Sequence, residues 1–338
     1  MKKNLNGDKT LDQKPKVLVL LSGGLDSTLA VKSMIEQNLD VEVAIFSTPF
    51  CLCDKCSAES TVKELAVKAH HIFLGQEYLD LIANPPRGYG SQMNPCIDCR
   101  ILMMKKAKEL AKELGAECVV TGEVLDQRPF SQTKQAMEFI EKKSGMQGKI
   151  LRPLSAQLLP ETEFEKSGLV DREKLYSIQG RRRVPQIDLA KKWGLKDYPC
   201  PSGGCLLTDP RFAQKLKDLL KHKRTLRMDD VQLLKIGRHF RFDECKIIVG
   251  RNDKENQFLL NFSAQKNLPY LEVVDYMGPI TLLEESCSDA VVRKAAEITV
   301  RYSDVNNCEA SLEYSQNGFV TIIRSSAIKD EEMNQLRV

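Results

Sequence analysis

The first third of the chain alternates between short apolar runs and longer amphipathic stretches. The runs KVLVLL, VEVAIF, HIFLG and AECVVTG predict four strands, which begin at residues 16, 41, 71 and 116. Between them, apolar residues recur at helical spacing over residues 26–37, 58–69 and 97–114, and Gly115 supplies a C-cap for the last of these helices. Strands that alternate with helices indicate an α/β fold, in which a parallel sheet carries helices on both faces.

The pattern changes along the rest of the chain. Prolines interrupt residues 126–208, where PQIDLAKKWG predicts a helix, and DPRFAQKLKDLLKHK predicts an amphipathic helix that would link two domains. After Thr225 the apolar runs shorten and predict strands at CKIIVGRN, QFLLNF, LEVVDYM, ITLLE, AEITVRYS and GFVTIIRS. The prediction is therefore a tail at residues 1–15, an α/β domain at 16–208, a helical linker at 209–224 and a smaller α+β domain at 225–338.

Composition restricts the number of domains, the cellular compartment and the chemistry expected of the cysteines. Its 338 residues are too many for one core, so two or three domains are expected. The polar N-terminal stretch lacks the apolar segment of a secretory signal, and no apolar run approaches the length of about 20 residues that crosses a bilayer. We therefore expect a cytoplasmic protein with no membrane contact. In that compartment the 11 cysteines indicate metal binding or thiol chemistry rather than disulfides.

The turn between the first strand and the first helix reads SGGLDS, at residues 22–27. A glycine pair at this place lets the backbone approach a ligand and turns main-chain N–H groups and the helix N-terminus toward an anion. Ser22 and Ser27 add hydroxyl donors, and Asp26 can cap the helix or help to hold Mg²⁺. The stretch predicts a phosphate-binding loop, and a tight turn with a serine cap is the alternative.

The SGGLDS loop resembles the pyrophosphate loop (PP-loop) of N-type ATP pyrophosphatases, which have an adenine nucleotide alpha hydrolase-like fold. Further stretches are similar to tRNA 4-thiouridine synthases and tRNA 2-thiouridylases: NPCIDCR at residues 94–100, TGEVLDQRPFSQT at 121–133, ILRPLS at 150–155 and RRRVPQIDLAKKWGLKDYPCPSGGCLL at 181–207. The resemblance implies ATP and Mg²⁺ as cofactors, with binding residues Ser22, Gly23, Gly24, Asp26, Ser27, Phe46, Gly122 and Glu123. It implies an enzyme that adenylates a uridine carbonyl oxygen of tRNA, releases pyrophosphate and inserts sulfur from sulfide or a cysteine desulfurase.

The same resemblance gives Cys99 and Cys205 catalytic roles, with Cys96 and Asp26 beside them. Cys96 and Cys99 begin a predicted helix, whose N-terminal field would lower their pKa values. Cys205 follows the glycine-rich turn PSGG. Cys96, Cys99 and Cys205 are expected to be the metal ligands of a [4Fe–4S] cluster with one iron left open. A persulfide carried by one thiol and resolved by another is an alternative, as is structural zinc.

The remaining cysteines are less informative. Cys200 would be a spare ligand, while Cys51, Cys53 and Cys56 could form a zinc site or a sulfur relay. Cys118 is expected inside a core strand. No motif surrounds the last three cysteines, which are Cys245, Cys287 and Cys308.

Residues 233–260, LLKIGRHFRFDECKIIVGRNDKENQFLL, resemble the RNA-binding domain of NFACT-type proteins. Transfer RNA is therefore the expected partner, and a small domain that forms a homodimer is the alternative. The side chains expected near RNA phosphates are Lys221, Lys223, Arg224 and His239, and those expected near nucleotide or RNA phosphates are Arg128, Arg152, Arg181, Arg182 and Arg183. A pyrophosphatase acting on a small molecule, such as a deazapurine or a sulfur metabolite, is the rival enzyme, and an RNA-binding or metal-storage protein is the non-enzymatic alternative.

Overall fold

The computed structural model describes residues 14–51, 55–195, 204–285, 287–306 and 308–338, without the side chains of residues 55–57. The chain divides into two compact units, Met1–Thr208 and Asp209–Val338. Among the described residues, no helix combines the length and the hydrophobicity that a membrane span requires.

The first unit is built on a five-stranded parallel sheet, which confirms the predicted α/β fold. Its strands are β1 (Lys16–Leu20), β2 (Asp40–Ser47), β3 (Lys68–Phe73), β4 (Cys118–Thr121) and β5 (Ile150–Leu151). They lie side by side in the order β3-β2-β1-β4-β5, and every neighbouring pair is parallel. The helices are α1 (Leu25–Glu36), α2 (Lys55–Glu64), α3 (Gln76–Ala83), α4 (Cys96–Leu114), α5 (Lys134–Ser144), α6 (Glu163–Lys166) and α7 (Val184–Lys192). Short 3₁₀ helices lie at Ala156–Leu158, Arg172–Lys174 and Leu206–Thr208.

Strand β1 is buried on both faces, which explains why its residues are apolar without alternation. Val17 and Val19 pack in one core with helix α1, whereas Leu18 and Leu20 pack in another core with helices α4 and α5. The chain leaves β1 toward β2 on one side and enters β4 on the other. In open α/β sheets, ligands bind at the carboxyl ends of strands where the strand order reverses in this way. The fold therefore directs attention to the loops that follow β1 and β4.

The second unit contains a six-stranded antiparallel sheet. Its strands are β6 (Arg238–Phe242), β7 (Cys245–Val249), β8 (Tyr270–Val273), β9 (Thr281–Leu283), β10 (Ala310–Gln316) and β11 (Phe319–Ser325). They lie in the order β11-β10-β8-β9-β7-β6. The helices are α8 (Pro210–His222), α9 (Met228–Lys235), α10 (Asp253–Lys266), α11 (Asp289–Arg301) and α12 (Asp330–Leu336). This arrangement confirms a separate, smaller α+β domain.

Two strands predicted in the second unit are wrong. QFLLNF lies inside helix α10 and AEITVRYS ends helix α11. Helix α10 begins after Asn252, whose side chain accepts a hydrogen bond from the Glu255 backbone N–H at 3.1 Å. Helix α11 places a broad apolar face against the sheet. A short apolar run fits a buried helix as well as a strand, so the run alone did not decide between them.

Helix α8, which was predicted as a linker, belongs to the second unit. Its buried side chains are Phe212, Ala213, Leu216 and Leu219. Asp218, also on this helix, forms ion pairs with Arg241 of β6 at 2.7 Å and with Lys246 of β7 at 3.3 Å. The helix is therefore packed and ion-paired within this domain.

The cysteines outside the candidate site divide into three cases. Cys118 is buried in β4, as expected for a core residue. Cys245 and Cys287 form a disulfide, although the sequence had favoured metal binding or thiol chemistry over disulfides for the cysteines. Their Cα atoms are 6.5 Å apart, within the usual range for a bridge. Cys308 is exposed and takes no part in a disulfide.

Candidate nucleotide and thiol site

The SGGLDS loop is closed on itself by hydrogen bonds between its two serines. The Ser22 backbone N–H donates to Ser27 Oγ at 3.2 Å, and Ser27 Oγ donates to the Gly24 carbonyl at 2.8 Å. Gly23 has a φ of 78°, a conformation that glycine adopts without strain. Gly24 then stands at the N-cap of α1 with no side chain to cap the helix. The sequence thus forms a preformed turn that leaves the helix N-terminus open to an anion.

Asp26 lies in the first turn of α1 and is partly engaged by the surrounding residues. Its Oδ2 accepts a hydrogen bond from Gln127 Nε2 at 3.1 Å and lies 3.9 Å from an Arg183 guanidinium nitrogen. Its Oδ1 is buried and has no hydrogen-bond partner among the described residues. Burial raises the pKa of this carboxyl, and Arg183 and Gln127 oppose the rise. A buried carboxylate oxygen without a partner is a donor that suits a hard cation such as Mg²⁺.

Gly122 directly follows β4, and its backbone packs against the backbone at the start of α1. A Cβ atom at this position would lie 2.5 Å from the Asp26 carbonyl oxygen and 2.6 Å from Ser27 Cα. Real Cβ atoms do not come that close to backbone atoms, so only glycine allows this approach. The two loops of the site are therefore in main-chain contact.

Glu123 follows Gly122 and is the centre of a buried ion network. Its exposed fraction is 3%, and its carboxylate contacts Arg152 Nε at 3.1 Å and Arg100 Nε at 3.4 Å. Arg152 is as deeply buried and also pairs with Glu141 at 2.5 Å. Burial alone would raise the pKa of Glu123, but Arg100 and Arg152 outweigh it and hold the pKa below its usual value. Glu123 is therefore ionised and fixed in position.

A cavity of about 360 Å³ opens between the loops that follow β1 and β4. The lining residues that the sequence had indicated for nucleotide binding are Ser22, Gly24, Asp26, Ser27, Phe46, Gly122 and Glu123, and Gly23 lies within the same loop. Arg128, Arg181 and Arg183 also line the cavity, as expected for residues that hold phosphates. The volume is in the range of small-molecule sites, and positive side chains surround a glycine-rich turn. The arrangement suits a nucleotide with a charged phosphate chain.

Arg152 does not have the expected role. It is 3% exposed, does not line the cavity and is held by Glu123 and Glu141. Its place is behind Glu123, which it orients. The sequence missed Arg100, Met103 and Gln127 as cavity residues. Two of these residues lay in stretches that the sequence had already indicated, since Arg100 ends NPCIDCR and Gln127 lies within TGEVLDQRPFSQT.

The predicted thiols come from two segments that the fold brings together, the start of α4 and the stretch at Cys205. Helix α4 begins at Cys96, so Cys96 and Cys99 lie in its first turn. The Asn94 amide donates to Cys96 Sγ at 3.1 Å, and the Tyr78 hydroxyl donates to Cys99 Sγ at 3.5 Å. The Met93 N–H donates to the Leu207 carbonyl at 3.1 Å, which brings the segment after Cys205 to the loop before α4.

A fourth thiol, Cys51, lies beside Cys205. The two residues face each other in an isolated antiparallel bridge. The Cys205 thiol interacts electrostatically with those of Cys99, Cys96 and Cys51, and the Cys99 thiol likewise interacts with Cys96 and Cys51. Cys53 and Cys200 lie outside the described residues, as does the side chain of Cys56. The sequence had placed Cys51 in a separate motif, and no spacing rule could have joined it to residues about 50 and 150 positions away.

The predicted lowering of the thiol pKa values is wrong for Cys99. Burial raises its pKa, and this effect exceeds the opposing influence of the Tyr78 hydroxyl and of Arg100. Burial also raises the pKa of Cys205 to about 11. Both thiols are therefore protonated at neutral pH until a cation is bound to them.

Within the described ranges, no group of three or more His, Cys, Asp or Glu side chains is placed so that it could hold a metal ion. The donor chemistry nevertheless fits an iron–sulfur cluster, because Cys96, Cys99 and Cys205 offer sulfur alone and clusters are held by thiolates. Burial of protonated thiols is also consistent with ligands that lose their protons when metal binds.

Arg100 connects the two halves of the site. It lines the nucleotide cavity, its Nε contacts Glu123, and it follows Cys99 in the first turns of α4. Its charge acts on the Cys99 thiol, where it favours the thiolate. Nucleotide cavity and thiols are therefore neighbours along one helix.

The candidate RNA-facing residues of the second unit differ in their surroundings. Lys221 and Arg224 are exposed. Lys223 is instead held by Asp230 at 3.0 Å and by Glu284. His239 is 1% exposed and donates from Nε2 to the Ile236 carbonyl at 2.7 Å, so the prediction that it faces phosphate is wrong. The wrong assignment arose because β6 is covered on both faces at this point, so that His239 and Phe240 are both buried, which the local sequence RHFRF does not reveal.

Comparison with known proteins assigns a relative to each unit. The family described as Thiamine biosynthesis protein (ThiI) matches residues 13–157. The "Probable tRNA sulfurtransferase" of Thermococcus kodakarensis is 30% identical over 142 residues, which are 41% of this chain and 36% of that protein. The tRNA-specific 2-thiouridylase MnmA of Pseudomonas fluorescens is 24% identical over 227 residues, which are 62% of this chain and 56% of that protein. The chain thus spans between about a third and somewhat over half of these relatives.

A solved 4-thiouridine synthetase–RNA complex with bound ATP aligns with 65% of this chain and 52% of that chain, at 21% identity and a TM-score of 0.34, which is too low to transfer structural detail.

In the second unit, the family described as NFACT protein RNA binding domain matches residues 237–337. Both resemblances stated from the sequence are confirmed: residues 13–157 match the ThiI family, and residues 237–337 match the NFACT RNA-binding domain family.

Proposed function

We propose that the chain is an ATP-dependent tRNA sulfurtransferase. The observation that carries the proposal is the position of Arg100, which lines the nucleotide cavity and directly follows Cys99. A phosphate-binding loop and a set of thiols that lie on either side of Arg100 can serve two consecutive steps on one substrate carbonyl group. The match of residues 13–157 to the ThiI family supports the same function.

In the first step, the chain adenylates a uridine. The uridine carbonyl oxygen attacks the α-phosphorus of ATP, the bond from that phosphorus to pyrophosphate breaks, and the uracil N3 proton is lost. The SGGLDS loop and the guanidinium groups of Arg128, Arg181 and Arg183 would stabilise the charge that develops on the phosphates. Mg²⁺ fits beside the buried Oδ1 of Asp26 and would neutralise phosphate charge there.

In the second step, sulfur replaces the activated oxygen. Hydrosulfide adds to the uracil carbon, the bond from that carbon to the oxygen of AMP breaks, AMP leaves with its electron pair, and the hydrosulfide proton moves to the uracil N3. Cys96, Cys99 and Cys205 would hold a [4Fe–4S] cluster, which when bound supplies an iron that binds sulfide. The buried Tyr78 donates to Cys99 Sγ, and the buried Phe50 packs against the Tyr78 ring.

The thiol environment favours a cluster over a persulfide relay. Resolution of a persulfide requires attack by a thiolate, and burial raises the pKa values of Cys99 and Cys205. An iron–sulfur cluster would itself deprotonate its ligands. The sulfur source in this proposal is sulfide, delivered free or by a cysteine desulfurase.

Transfer RNA is the proposed substrate because the second unit matches an RNA-binding domain family. The exposed Lys221 and Arg224 are candidates for contacts with the phosphate backbone. Such contacts position the RNA without selecting a sequence.

The test uses anaerobically purified full-length protein with ATP, sulfide and tRNA. AMP is measured by chromatography and thionucleosides by mass spectrometry. Asp26→Asn should lower AMP formation about 100-fold or more, because it weakens stabilisation of the phosphates. Cys99→Ser should still form AMP but no thionucleoside, and Cys308→Ser, an exposed thiol of the second unit, is the control that should behave as wild type.

Two results would contradict the proposal. AMP formation by Asp26→Asn at the wild-type rate would show that the loop is not the reaction site. AMP formation that ignores tRNA but responds to a small acceptor would identify the chain as a pyrophosphatase acting on small molecules.

A further inference from the structure

We propose that the turn formed by residues 128–132 recognises the target uridine. In this proposal the Gln132 amide binds the edge of the uracil ring, and the Phe130 ring stacks on a base of the RNA. The inference rests on the proposed function, because it names the side chains that hold the substrate of that reaction. It adds a substrate site to the nucleotide and thiol sites described above.

Residues 128–132 form a closed turn at the rim of the nucleotide cavity. The Gln132 N–H donates to the Arg128 carbonyl at 3.0 Å, and the Asp126 N–H donates to the Gln132 carbonyl at 2.8 Å. Arg128 and Gln132, at the two ends of the turn, both line the cavity. Phe130 lies between them, is 42% exposed and does not line the cavity. The turn therefore places an amide on the cavity wall and an aromatic ring outside it.

The turn is fastened to the run of three arginines at residues 181–183. Leu125, which precedes the turn, pairs with Gln179 in a parallel bridge, and the Gly180 N–H donates to the Leu125 carbonyl at 2.8 Å. Gln179 Nε2 also donates to Asp126 Oδ2 at 2.7 Å. The first two arginines of the run are exposed. The exposed ring and these guanidinium groups thus belong to adjoining segments, a combination that suits single-stranded RNA, whose bases stack on aromatic rings while cations hold its phosphates.

Gln132 carries a hydrogen-bonding group that the protein leaves unused. Its exposed fraction is 4%, and its Oε1 is buried without a hydrogen-bond partner among the described residues. A buried acceptor without a donor destabilises the folded protein, so such groups in native structures call for an explanation. A ligand that brings an N–H group into the cavity would supply the missing donor.

The order of the strands separates this amide from the part of the cavity that suits adenine. The apolar lining residues Ala44 and Phe46 belong to β2 on one side of β1, whereas Gln132 follows β4 on the other side. The SGGLDS loop follows β1, between the two. ATP with its base against β2 and its phosphates on the loop would leave Gln132 for the second substrate.

Uracil has an edge that matches a glutamine amide. Its N3–H donor lies between two carbonyl acceptors, and the amide offers one acceptor oxygen and one donor nitrogen. Oε1 would accept from N3–H, and Nε2 would donate to the carbonyl that does not react. The other carbonyl oxygen stays free to attack the α-phosphorus. Gln132 therefore positions the base and transfers no proton.

The first experiment measures AMP formation by full-length protein at increasing concentrations of total tRNA, together with ATP affinity by calorimetry. Gln132→Met has a similar volume and no amide. It should lower kcat/KM for tRNA at least about tenfold, because two hydrogen bonds to the base are lost, and leave ATP affinity unchanged. Gln135→Met, the same change at an exposed residue of the adjoining helix α5, should behave as wild type.

The second experiment tests stacking without any reaction. The chain has a single tryptophan, Trp193, so the added emission of Phe130→Trp belongs to residue 130. Binding of total tRNA should quench this emission, and Phe73→Trp, at an exposed ring of edge strand β3, should keep its own. Phe130→Leu should weaken tRNA binding about tenfold, and Phe130→Trp should not, since stacking needs an aromatic face.

Three outcomes would overturn the inference. Equal losses of ATP affinity and of kcat/KM in Gln132→Met would place this amide in the ATP site. A wild-type kcat/KM in that variant would show that the amide holds no substrate. Unquenched emission from Phe130→Trp with tRNA bound would remove the stacking role. If wild-type protein forms no AMP with tRNA, the proposed function fails, whereas quenching at residue 130 would still support docking of RNA at this turn.

Discussion

His239 is a titratable side chain enclosed in the interior of the second unit. Burial and the nearby cations Lys215 and Lys246 hold its pKa well below the usual value, and its Nε2 donates to the Ile236 carbonyl. Its Nδ1 has no hydrogen-bond partner within the described structure. The folded protein therefore requires the neutral ring, with the proton on Nε2.

This requirement predicts an acid-sensitive domain. Below the unfolded pKa of about 6.5, the unfolded chain binds a proton that the folded chain refuses, so stability should fall by about 1.4 kcal/mol per pH unit. The stability is fully present above that pH and is lost on acidification toward the lower folded pKa. Urea unfolding of a fragment comprising residues 209–338, followed by circular dichroism from pH 7.5 to 5.5, measures the slope.

Two substitutions test whether titration of His239 causes the acid sensitivity. His239→Gln keeps an N–H donor for the Ile236 carbonyl but cannot titrate, so the pH slope should flatten. His222→Gln should leave the slope in place. An equal slope in wild type and His239→Gln would show that another group causes the acid sensitivity.

Residues far apart in the sequence are where prediction failed at the candidate site. The SGGLDS loop, Gly122 and Glu123 could be placed because a strand, a turn and a helix are contiguous and carry their own signals. Cys51 joins Cys205 only through a bridge between distant loops, and Arg100 reaches the cavity only because α4 packs on one face of the sheet. Such neighbours follow from tertiary packing, which local spacing does not encode.

At the scale of elements, helix α8 completes the second unit. Asp218 on this helix receives two hydrogen bonds from Arg241, at 2.7 and 2.8 Å, and lies 3.3 Å from the ammonium group of Lys246. Lys246 is 2% exposed, so its charge depends on this carboxylate. Burial lowers the pKa of Lys246 and Asp218 opposes that effect.

Removal of the Asp218 charge should therefore destabilise the domain strongly. Asp218→Asn in the 209–338 fragment should lower the free energy of unfolding by roughly 3 kcal/mol, because breaking a buried pair leaves an uncompensated charge. Glu309→Gln makes the same charge change at an exposed site and should alter stability by less than about 0.5 kcal/mol. Equal stability of both variants in urea denaturation would show that the helix contributes no electrostatic support to the sheet.

The elements themselves were predictable to different degrees in the two units. In the first unit, strands alternate with helices and Gly115 ends α4 in a left-handed conformation, so local signals agree with the fold. Helices α3 and α5 and the two-residue strand β5 were missed. In the second unit, α10 and α11 carry apolar runs that also fit strands. Asn252 and Ser288 occupy the N-cap positions of α10 and α11, and both are residue types that favour a helix start. These two residues were the signal that could have distinguished helix from strand.

At the scale of the whole molecule, RNA binding is expected to be mainly electrostatic. Lys221 and Arg224 are exposed, and in the part of the chain that the structure describes neither takes part in an ion pair. Lys223 between them is occupied by acidic partners. Basic residues that are not already paired are the ones that can replace counterions on a phosphate backbone.

Replacement of both free cations should change the salt dependence of tRNA binding. In full-length Lys221→Ala/Arg224→Ala protein, the slope of log affinity against log salt should become smaller by roughly 1.5, because each phosphate contact contributes about 0.7–0.9. Lys112→Ala/Lys166→Ala, an equal charge change on exposed residues of the first unit, is the control. Fluorescence anisotropy between 50 and 300 mM salt gives the slope, using about six salt concentrations across the range in which affinity changes measurably. Identical slopes in the two double variants would exclude this face.

The contact at Gly122 also bears on how the nucleotide cavity could be redesigned. Main-chain atoms of the β4 loop and of α1 touch there, so no side chain can be trimmed or enlarged to alter the spacing of those two walls. The adjustable walls are the ones formed by side chains, notably Phe46 and Met103. Replacing Phe46 or Met103 with a smaller residue should therefore make room for an ATP analogue with a bulky substituent. Such a variant could be developed into an enzyme that uses the analogue and not ATP.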